Sequence, residues 1–372
     1  MRVETEELRI FQDHVRRFVE REISPFHRQW EQQGIVPRDL WLAAGRAGIL
    51  CCTVSEEFGG AGADYAASAI VTHELGRAGA TGPGFIIHSE MAAPYIQKHG
   101  SAAQKQRWLP DLVAGKAIAG VAMTEPSAGS DLRGIKTRAR PTADGYALSG
   151  QKVFISNGQL ADVLIVAAKV EGSGRLSLFL VDTTLPGFKR GKNLEKIGCH
   201  AQDTSEIFFG DVPLGEADLL GGLGGGFDLL KEGLIRERLT VCISSQARAE
   251  ACLATTADYA KQRELFGQNL LSFQNTRFKL AEVKADLLAG RALVDRLLAS
   301  YLADDIDGVD AAAGKLWVTE MLGRTADTCL QIHGGWGYML DFPIARAFVD
   351  ARVDRIAGGS SEVMKEIIAR AI

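Results

Sequence analysis

No uninterrupted apolar run in this chain approaches the ~20 residues that a bilayer-spanning helix needs, so stable membrane insertion is not expected and any membrane contact would be peripheral. Its six cysteines, Cys51, Cys52, Cys199, Cys242, Cys252 and Cys329, contain no C-x-x-C pair. That scatter fits neither a disulfide framework nor a zinc site; it predicts small core residues in a reducing compartment, and no metal. Basic residues form no stripe or arm. The 42 Lys and Arg interleave with 46 Asp and Glu for a net charge of −4, which argues against a nucleic-acid partner. Residues 1–9 are rich in Glu and lack the basic and apolar regions of a signal peptide and the Arg/Ser-rich, acid-poor character of a transit peptide, which predicts a cytoplasmic location.

What is present is a globular composition. With 372 residues, 46% hydrophobic and 24% charged, the chain can bury a sizeable core over two or three domains, and disorder is not expected. From Glu6 to about Lys116 the pattern is helical. Leu8, Phe11, Val15 and Phe18 are spaced for one helix face, and further helical runs fall at 64–78, 86–99 and 103–114, with glycine clusters at 59–62 and 79–84 between them. From about Tyr146 the period shortens to β-rich runs at 152–156, 163–167, 176–181 and 207–209, separated by turns such as Asn157-Gly158 and Pro186-Gly187. The glycine-rich stretch 221–226 then breaks all periodicity, and helical patterning runs almost to the end. A phosphate-binding loop needs a βα junction of a parallel sheet, so a linker is the better reading of 221–226. The order helix, β, helix, without βαβ alternation, predicts an α+β fold: a β domain (119–222) between helical domains (1–118 and 223–372), not a Rossmann domain.

Two segments stand out for their chemistry. Ala122-Met123-Thr124-Glu125-Pro126-Ser127-Ala128-Gly129-Ser130-Asp131 lies where helices give way to strands. Its hydroxyls and accessible backbone amides could grip a polar, flat or phosphorylated ligand, although alone it reads equally as a capping turn. Gln331-Ile332-His333-Gly334-Gly335-Trp336-Gly337-Tyr338 ends a helix in glycines that could simply form a C-cap.

Taken together, these segments and their spacing resemble the two signature regions of the acyl-CoA dehydrogenase family. The likeness extends over essentially the whole chain, through Lys152-Val153-Phe154-Ile155-Ser156-Asn157-Gly158, Ala201 to Glu206, Gln262-Arg263-Glu264-Leu265-Phe266-Gly267 and Ile367 to Arg370. It is strongest toward the long-chain members, with isovaleryl members next. The resemblance implies a helical N-terminal domain, a middle β-barrel or sandwich, a C-terminal four-helix bundle and a flavoprotein that oxidises an acyl-CoA thioester to the trans-2-enoyl-CoA. FAD would lie between the β domain and the C-terminal bundle. By matching motifs, Met123, Thr124, Ser130, Phe154, Ile155 and Ser156 would line the flavin, and Arg263, Phe266 and Gln274 would bind FAD across a subunit contact. Gln331, His333, Gly334, Gly335, Ser360, Ser361 and Glu362 would complete that site. Ser130, Asp228, Arg238, Gly358 and Gly359 would meet the substrate. The resemblance also implies a homotetramer built as a dimer of dimers, and an electron-transferring flavoprotein as electron acceptor in fatty acid β-oxidation. Phe154 replaces a tryptophan that many relatives carry, an exchange that keeps a flat apolar ring.

Most members of the family carry their base at the position of Gly358, within Arg355-Ile356-Ala357-Gly358-Gly359-Ser360-Ser361-Glu362. A reaction that removes a proton from carbon needs a positioned base, so the base must come from elsewhere. Leu230, Leu234, Glu237 and Val241 recur at steps of four, three and four, which sets Glu237 where an apolar residue would be expected on a helical stripe. Burial there would raise its pKa towards neutrality. The resemblance points to the same residue, because the long-chain and isovaleryl members place their base in an E-R-L run, here Glu237-Arg238-Leu239. The competing reading is an ion pair with Arg236, Arg238 or a neighbouring helix.

Glu362, beside Ser360 and Ser361 at a helix start, would be held ionised and be a weaker base, suited to a place near the FAD. Glu125 and Asp131 read as turn and capping residues, and His333 as part of a backbone-positioning loop. Gly82-Pro83-Gly84-Phe85 matches a segment near the far end of the acyl pocket in long-chain relatives, where the lack of bulk at Gly84 would leave room; an interhelical turn explains it equally. Three other readings stay open: a flavin oxidase of the same fold using oxygen, a carrier-protein-linked dehydrogenase, and a non-catalytic assembly protein, against which the presence of Glu237 counts.

Overall fold

A computed structural model describes residues 5–372, so the first four residues of the acidic N-terminal stretch lie outside the described residues. The N-terminal part is helical: α1 (Glu6–Phe18), α2 (His27–Gln33), α3 (Arg38–Arg46), α4 (Tyr65–Arg77), α5 (Ala93–His99) and α6 (Ala102–Val113). The sequence explains several starts. Asp64 caps α4 through the Ala66 N–H, and Ser101 and Gln104 form a reciprocal capping box on α6. A π-helical segment, Ile87–Ala92, runs directly into α5, so the single helical run expected at 86–99 is wound in two ways. α4 is small and apolar on most of its surface and is buried nearly all round, crossing the long C-terminal helix where Gly76 faces the Ser244 backbone.

The middle part is an eight-stranded mixed sheet, β1 (Ala119–Ala122), β2 (Arg138–Thr142), β3 (Gly145–Ser156), β4 (Val163–Val170), β5 (Leu176–Asp182), β6 (Phe188–Asn193), β7 (Thr204–Leu214) and β8 (Leu219–Leu220). Along the main path the order is β6-β7-β3-β2-β4-β5-β8. β1 and β2 both pair in parallel with β4, β1 against Val163 to Val166 and β2 against Lys169 and Val170. Residues 123–137 therefore leave the sheet and return to the edge of the same strand. That detour is the first motif singled out in the sequence.

The C-terminal part comprises α7 (Gly226–Gln262), a short hairpin, β9 (Glu264–Leu265) with β10 (Gln268–Asn269), then α8 (Gln274–Leu302), α9 (Gly308–His333), α10 (Pro343–Ala351) and α11 (Ser361–Ala369). The α7, α8 and α9 helices pack around a core that includes Leu239, Ile243, Leu287, Val294, Val318 and Leu322. The glycine stretch links β8 to α7, and its Gly224 N–H donates to Ser177 Oγ at 2.8 Å. All six cysteines carry free thiols, and five are buried.

At Gly84 the structure favours the packing explanation. A methyl group there would lie 1.8 Å from Asn157 Oδ1, and the Asn157 amide donates to the Gly84 and Ala119 carbonyls at 3.1 and 3.0 Å. The missing bulk is filled by Asn157, itself at a positive φ of 61°. Gly84→Ala should therefore destabilise the fold by about 1–3 kcal/mol through overpacking. Thermal melting checks this, and an unchanged melting temperature with a shortened acyl-chain preference would return Gly84 to the pocket.

Candidate functional site

The detour at 123–137 is held from within. Glu125 is buried and accepts from the Lys136 and Thr137 N–H groups at 2.6 and 3.0 Å and from Lys152 Nζ at 2.8 Å. The fully buried Lys152 also donates to the Met123 carbonyl at 2.9 Å, and Val153 N–H to the Thr124 carbonyl at 3.0 Å. These donors hold the Glu125 carboxyl below the ordinary carboxylate range against desolvation, which opposes them, and burial drops the Lys152 ammonium to about 8. Glu125 is thus a buried anchor, whereas the sequence suggested a turn residue; Asp131 does cap a short helical turn, accepting from Arg133 N–H at 3.0 Å. Ser130 is exposed on the outside of the detour.

Next to it, the pairing of β3 with β7 slips between Lys152 and Ile155, and within that irregularity Phe154 takes φ 62°. The slip turns the Phe154 side chain out of the sheet, 65% exposed, whereas Ile155 points into the sheet core. A non-glycine residue in the left-handed region that presents an aromatic ring to solvent is a candidate ligand-facing position. Ile155 can therefore meet a ligand only through its backbone; Ser156 is partly exposed.

A second wall lies at the end of α9. Arg263, His333, Gly334 and Gly335 line one cavity of about 510 Å³ together with Tyr259, Trp336 and Met339. The His333 ring stacks on Tyr259 at 4.2 Å and its Nδ1 bonds the Cys329 carbonyl at 2.8 Å, so His333 shapes this wall; burial lowers its pKa. Gln331, Arg263 and Gln274 are exposed, and Phe266 stands 88% exposed at φ 51°.

The third element is the turn before α11. Gly358 and Gly359 have φ of 66° and 92°, a region that side-chain-bearing residues rarely occupy. Ser360 caps α11 through the Val363 N–H, and Ser361 Oγ donates to Glu320 at 2.7 Å. Glu362 is exposed at the helix start, where backbone and Ser360 hydrogen bonds lower its pKa.

Facing this turn is Glu237. A methyl group at Gly358 would lie 3.4 Å from Glu237 Oε1 and 3.8 Å from Val241 Cγ2, so residues of the predicted α7 stripe meet the glycine turn directly. Among the described residues Glu237 makes no hydrogen bond or ion pair, which does not support the ion-pair reading. Two of the cations near it are engaged otherwise. Arg236 bonds Glu90 at 2.5 Å and Thr53 at 3.1 Å, and Lys315 Nζ donates to the Gly359 carbonyl at 2.6 Å. Arg238 is buried, its Nε without a partner. Desolvation raises the Glu237 pKa, with the charges of Arg238 and Lys315 opposing. Asp228 is exposed in the first turn of α7, away from these contacts. The buried lysines Lys152 and Lys315 escaped the sequence reading, although Lys315 interrupts an apolar run as Glu237 does.

The arrangement is a partly buried, unpaired carboxylate against a backbone turn, with an exposed aromatic ring and a glycine-lined cavity elsewhere on the chain. Comparison with known proteins agrees with it. Residues 5–116, 120–212 and 224–372 match the N-terminal, middle and C-terminal domains of acyl-CoA dehydrogenase. The mitochondrial long-chain specific acyl-CoA dehydrogenase of Sus scrofa is 43% identical over 100% of this chain and 87% of its own, and the mitochondrial isovaleryl-CoA dehydrogenase of Pongo abelii 33% identical over 99% and 89%. Among solved structures, an acyl-CoA dehydrogenase from Geobacillus kaustophilus superposes with a TM-score of 0.97 at 42% identity, covering 100% of this chain and 99% of that one. An electron transferring flavoprotein structure from Acidaminococcus fermentans contains a chain with a TM-score of 0.94 at 30% identity (99% and 98% covered), and a glutaryl-CoA dehydrogenase from Mycobacterium smegmatis in complex with FADH2 scores 0.93 at 28% (99% and 95%). With three domain matches in order and relatives this similar over its whole length, the chain belongs to the acyl-CoA dehydrogenase family.

Proposed function

We propose that this chain oxidises an acyl-CoA thioester to the trans-2-enoyl-CoA with FAD as cofactor and Glu237 as the base. The observation that carries the assignment is the unpaired Glu237 carboxylate apposed to Gly358. The surfaces present suit FAD: a flat aromatic ring turned out at Phe154, the exposed hydroxyls of the 123–137 detour, and an Arg263-lined cavity walled by the bare backbone of Gly334 and Gly335. Met123, Thr124, Ser130, Phe154, Ile155 (through its backbone) and Ser156 would hold its flavin end. Gln331, His333, Gly334, Gly335, Ser360, Ser361 and Glu362 would complete the site, with Arg263, Phe266 and Gln274 supplied across a subunit contact. When bound, FAD supplies the acceptor for the hydride that leaves the β-carbon.

The residues of this chain carry the proton side of the reaction. A thioester α-proton is too weakly acidic for an unassisted carboxylate, so the developing enolate must be stabilised where its charge appears. The Gly358 N–H supplies a donor to the thioester carbonyl, a role that survives without a side chain at 358. Glu237 then takes the α-proton on its carboxylate as the α-carbon to hydrogen bond breaks and the carbon–carbon double bond forms. Desolvation makes it a stronger base than an exposed glutamate. Gly359, Arg238 and Asp228 would contact the substrate around this centre.

An electron-transferring flavoprotein is the proposed electron acceptor, supported by the similar chain in the Acidaminococcus structure. A homotetramer, as a dimer of dimers, is supported by the exposed Phe266, Trp336, Tyr338 and Phe348 side chains, which a subunit contact would cover. No helix among the described residues is long and apolar enough to cross a membrane.

Anaerobic mixing of the FAD-loaded protein with acyl-CoAs of different length and branching should bleach the flavin absorbance. Glu237→Gln should keep the flavin but slow bleaching by about 10²–10⁴-fold; full residual activity would remove Glu237 from the mechanism, and no bleaching by any acyl-CoA with the parent would defeat the dehydrogenase reading.

The raised Glu237 pKa also fixes a pH dependence. Only the carboxylate accepts a proton, so the rate should climb with pH through a limb above the ordinary carboxylate range. Stability runs the other way. With its folded pKa above the unfolded value, Glu237 costs nothing at low pH and destabilises increasingly as pH rises from the unfolded pKa through the folded one. Glu237→Gln should therefore melt at a higher temperature than the parent at neutral pH, and the difference should shrink in acid. Melting curves across pH check the sign.

A further inference from the structure

Lys315 on α9 is fully buried, yet the proton transfer described above does not use it. Its Nζ lies 2.6 Å from the Gly359 carbonyl oxygen, the length of a charge-assisted hydrogen bond. Burying an ammonium is costly, and here it serves one backbone group of the glycine turn.

That turn needs an outside lock. Two consecutive glycines with no Cβ are the most conformationally free dipeptide a chain offers, and fixing each backbone residue costs roughly 1–2 kcal/mol. A side chain at 359 would be strained at φ 92° and would displace the end of Met364, whose Cε lies 2.7 Å from the position of its first carbon. Two residues of α9 hold the segment instead. Glu320 accepts from Arg355 Nη1 at 3.2 Å on one side of the turn and from Ser361 Oγ at 2.7 Å on the other, while Lys315, five residues earlier, takes the carbonyl between them.

We propose that Lys315 is a positioning residue: its buried ammonium locks the Gly358–Gly359 turn so that the Gly358 N–H and the Glu237 carboxylate address one thioester together. The inference rests on Glu237 acting as the base. Lys315 acts on that base through charge as well as geometry. The groups around Glu237 are Arg238 on its own helix, Lys315 on α9 and Tyr95 on α5; those around Lys315 are Asp354, Cys242, Arg238 and Glu237. Removing the Lys315 charge leaves Glu237 with Arg238 as its remaining cation and raises its pKa further.

The test uses the FAD-loaded protein and the acyl-CoA that bleaches the parent fastest. Lys315→Met, which keeps the stem and loses the ammonium, should retain the flavin spectrum. Its kcat should fall about tenfold or more with little change in KM, as expected when a donor engaged in the transition state is loosened. The acid limb of the rate should move to higher pH. Backbone amide exchange, read by mass spectrometry, should accelerate over residues 356–360 while the cores of α7 and α9 stay protected. A parental pH limb, or parental exchange at the turn, overturns the proposal. If Lys315→Met does not fold, Lys315→Arg decides: it keeps the charge but moves the donor, so faster exchange at 356–360 with an unshifted limb supports the proposal, and parental exchange overturns it. Glu237→Gln run alongside separates the two ideas. An active Glu237→Gln enzyme defeats the base assignment itself, whereas an inactive one beside a parental Lys315→Met defeats only the role of Lys315.

Discussion

The candidate site depends on a partly buried carboxylate, Glu237, held without a partner. An unpaired, partly buried Glu237 costs stability, and the cations Arg236, Arg238 and Lys315 all lie near it. Two of these cations are committed elsewhere. Arg236 is turned to Glu90 on the π-helical segment and lies over the Tyr65 ring, and Lys315 is committed to the Gly359 carbonyl. Arg238 stays close enough for its charge to temper the shift but makes no hydrogen bond to the carboxylate. Structure thus maintains basicity by arranging what Glu237 does not touch.

The same device, a buried cation spent on a carbonyl, recurs in the sheet. Lys152 bonds the Met123 carbonyl and Glu125, which stiffens the detour between β1 and β2. A 15-residue excursion anchored at both ends on β4 would otherwise be free to move. Buried ion pairs contribute little net stability when both partners are present, but losing one partner leaves an uncompensated charge. Their use here is geometric, holding the 123–137 loop still.

What the sequence disclosed follows from which interactions are local. α4 and α6 could be read because helical periodicity is local, as are the caps Asp64 and Ser101 that the structure shows at their starts, and the β3, β4, β5 and β7 cores because their apolar runs are short and local. β2 and β6 could not: Arg-Ala-Arg-Pro-Thr and Phe-Lys-Arg-Gly-Lys-Asn are charged and broken by Pro or Gly, and they become strands only because a neighbour offers a ladder. The irregularity that turns out Phe154 is likewise a property of the β3 and β7 pairing, invisible in either strand alone. Glu237 was legible because a charge interrupts an apolar stripe. Lys315, in Ala-Ala-Ala-Gly-Lys-Leu-Trp-Val, gives the same signal, but its partner is a backbone carbonyl 44 residues away, which no local pattern encodes.

With Glu237 as the proposed base, geometry also explains why glycine stands at 358. The position of a first side-chain carbon there is 3.4 Å from Glu237 Oε1, so a second carboxylate built on it would share one small, desolvated space with the first. Two like charges in such a space cannot both ionise; one pKa would rise steeply and the pair would titrate as a unit, leaving neither a simple base at neutral pH. Even an uncharged side chain would have to accept φ 66°, which glycine takes without strain. The two positions are therefore alternatives: a base on α7 requires the turn to give up its side chain, and the turn keeps only what its backbone can offer, the Gly358 N–H.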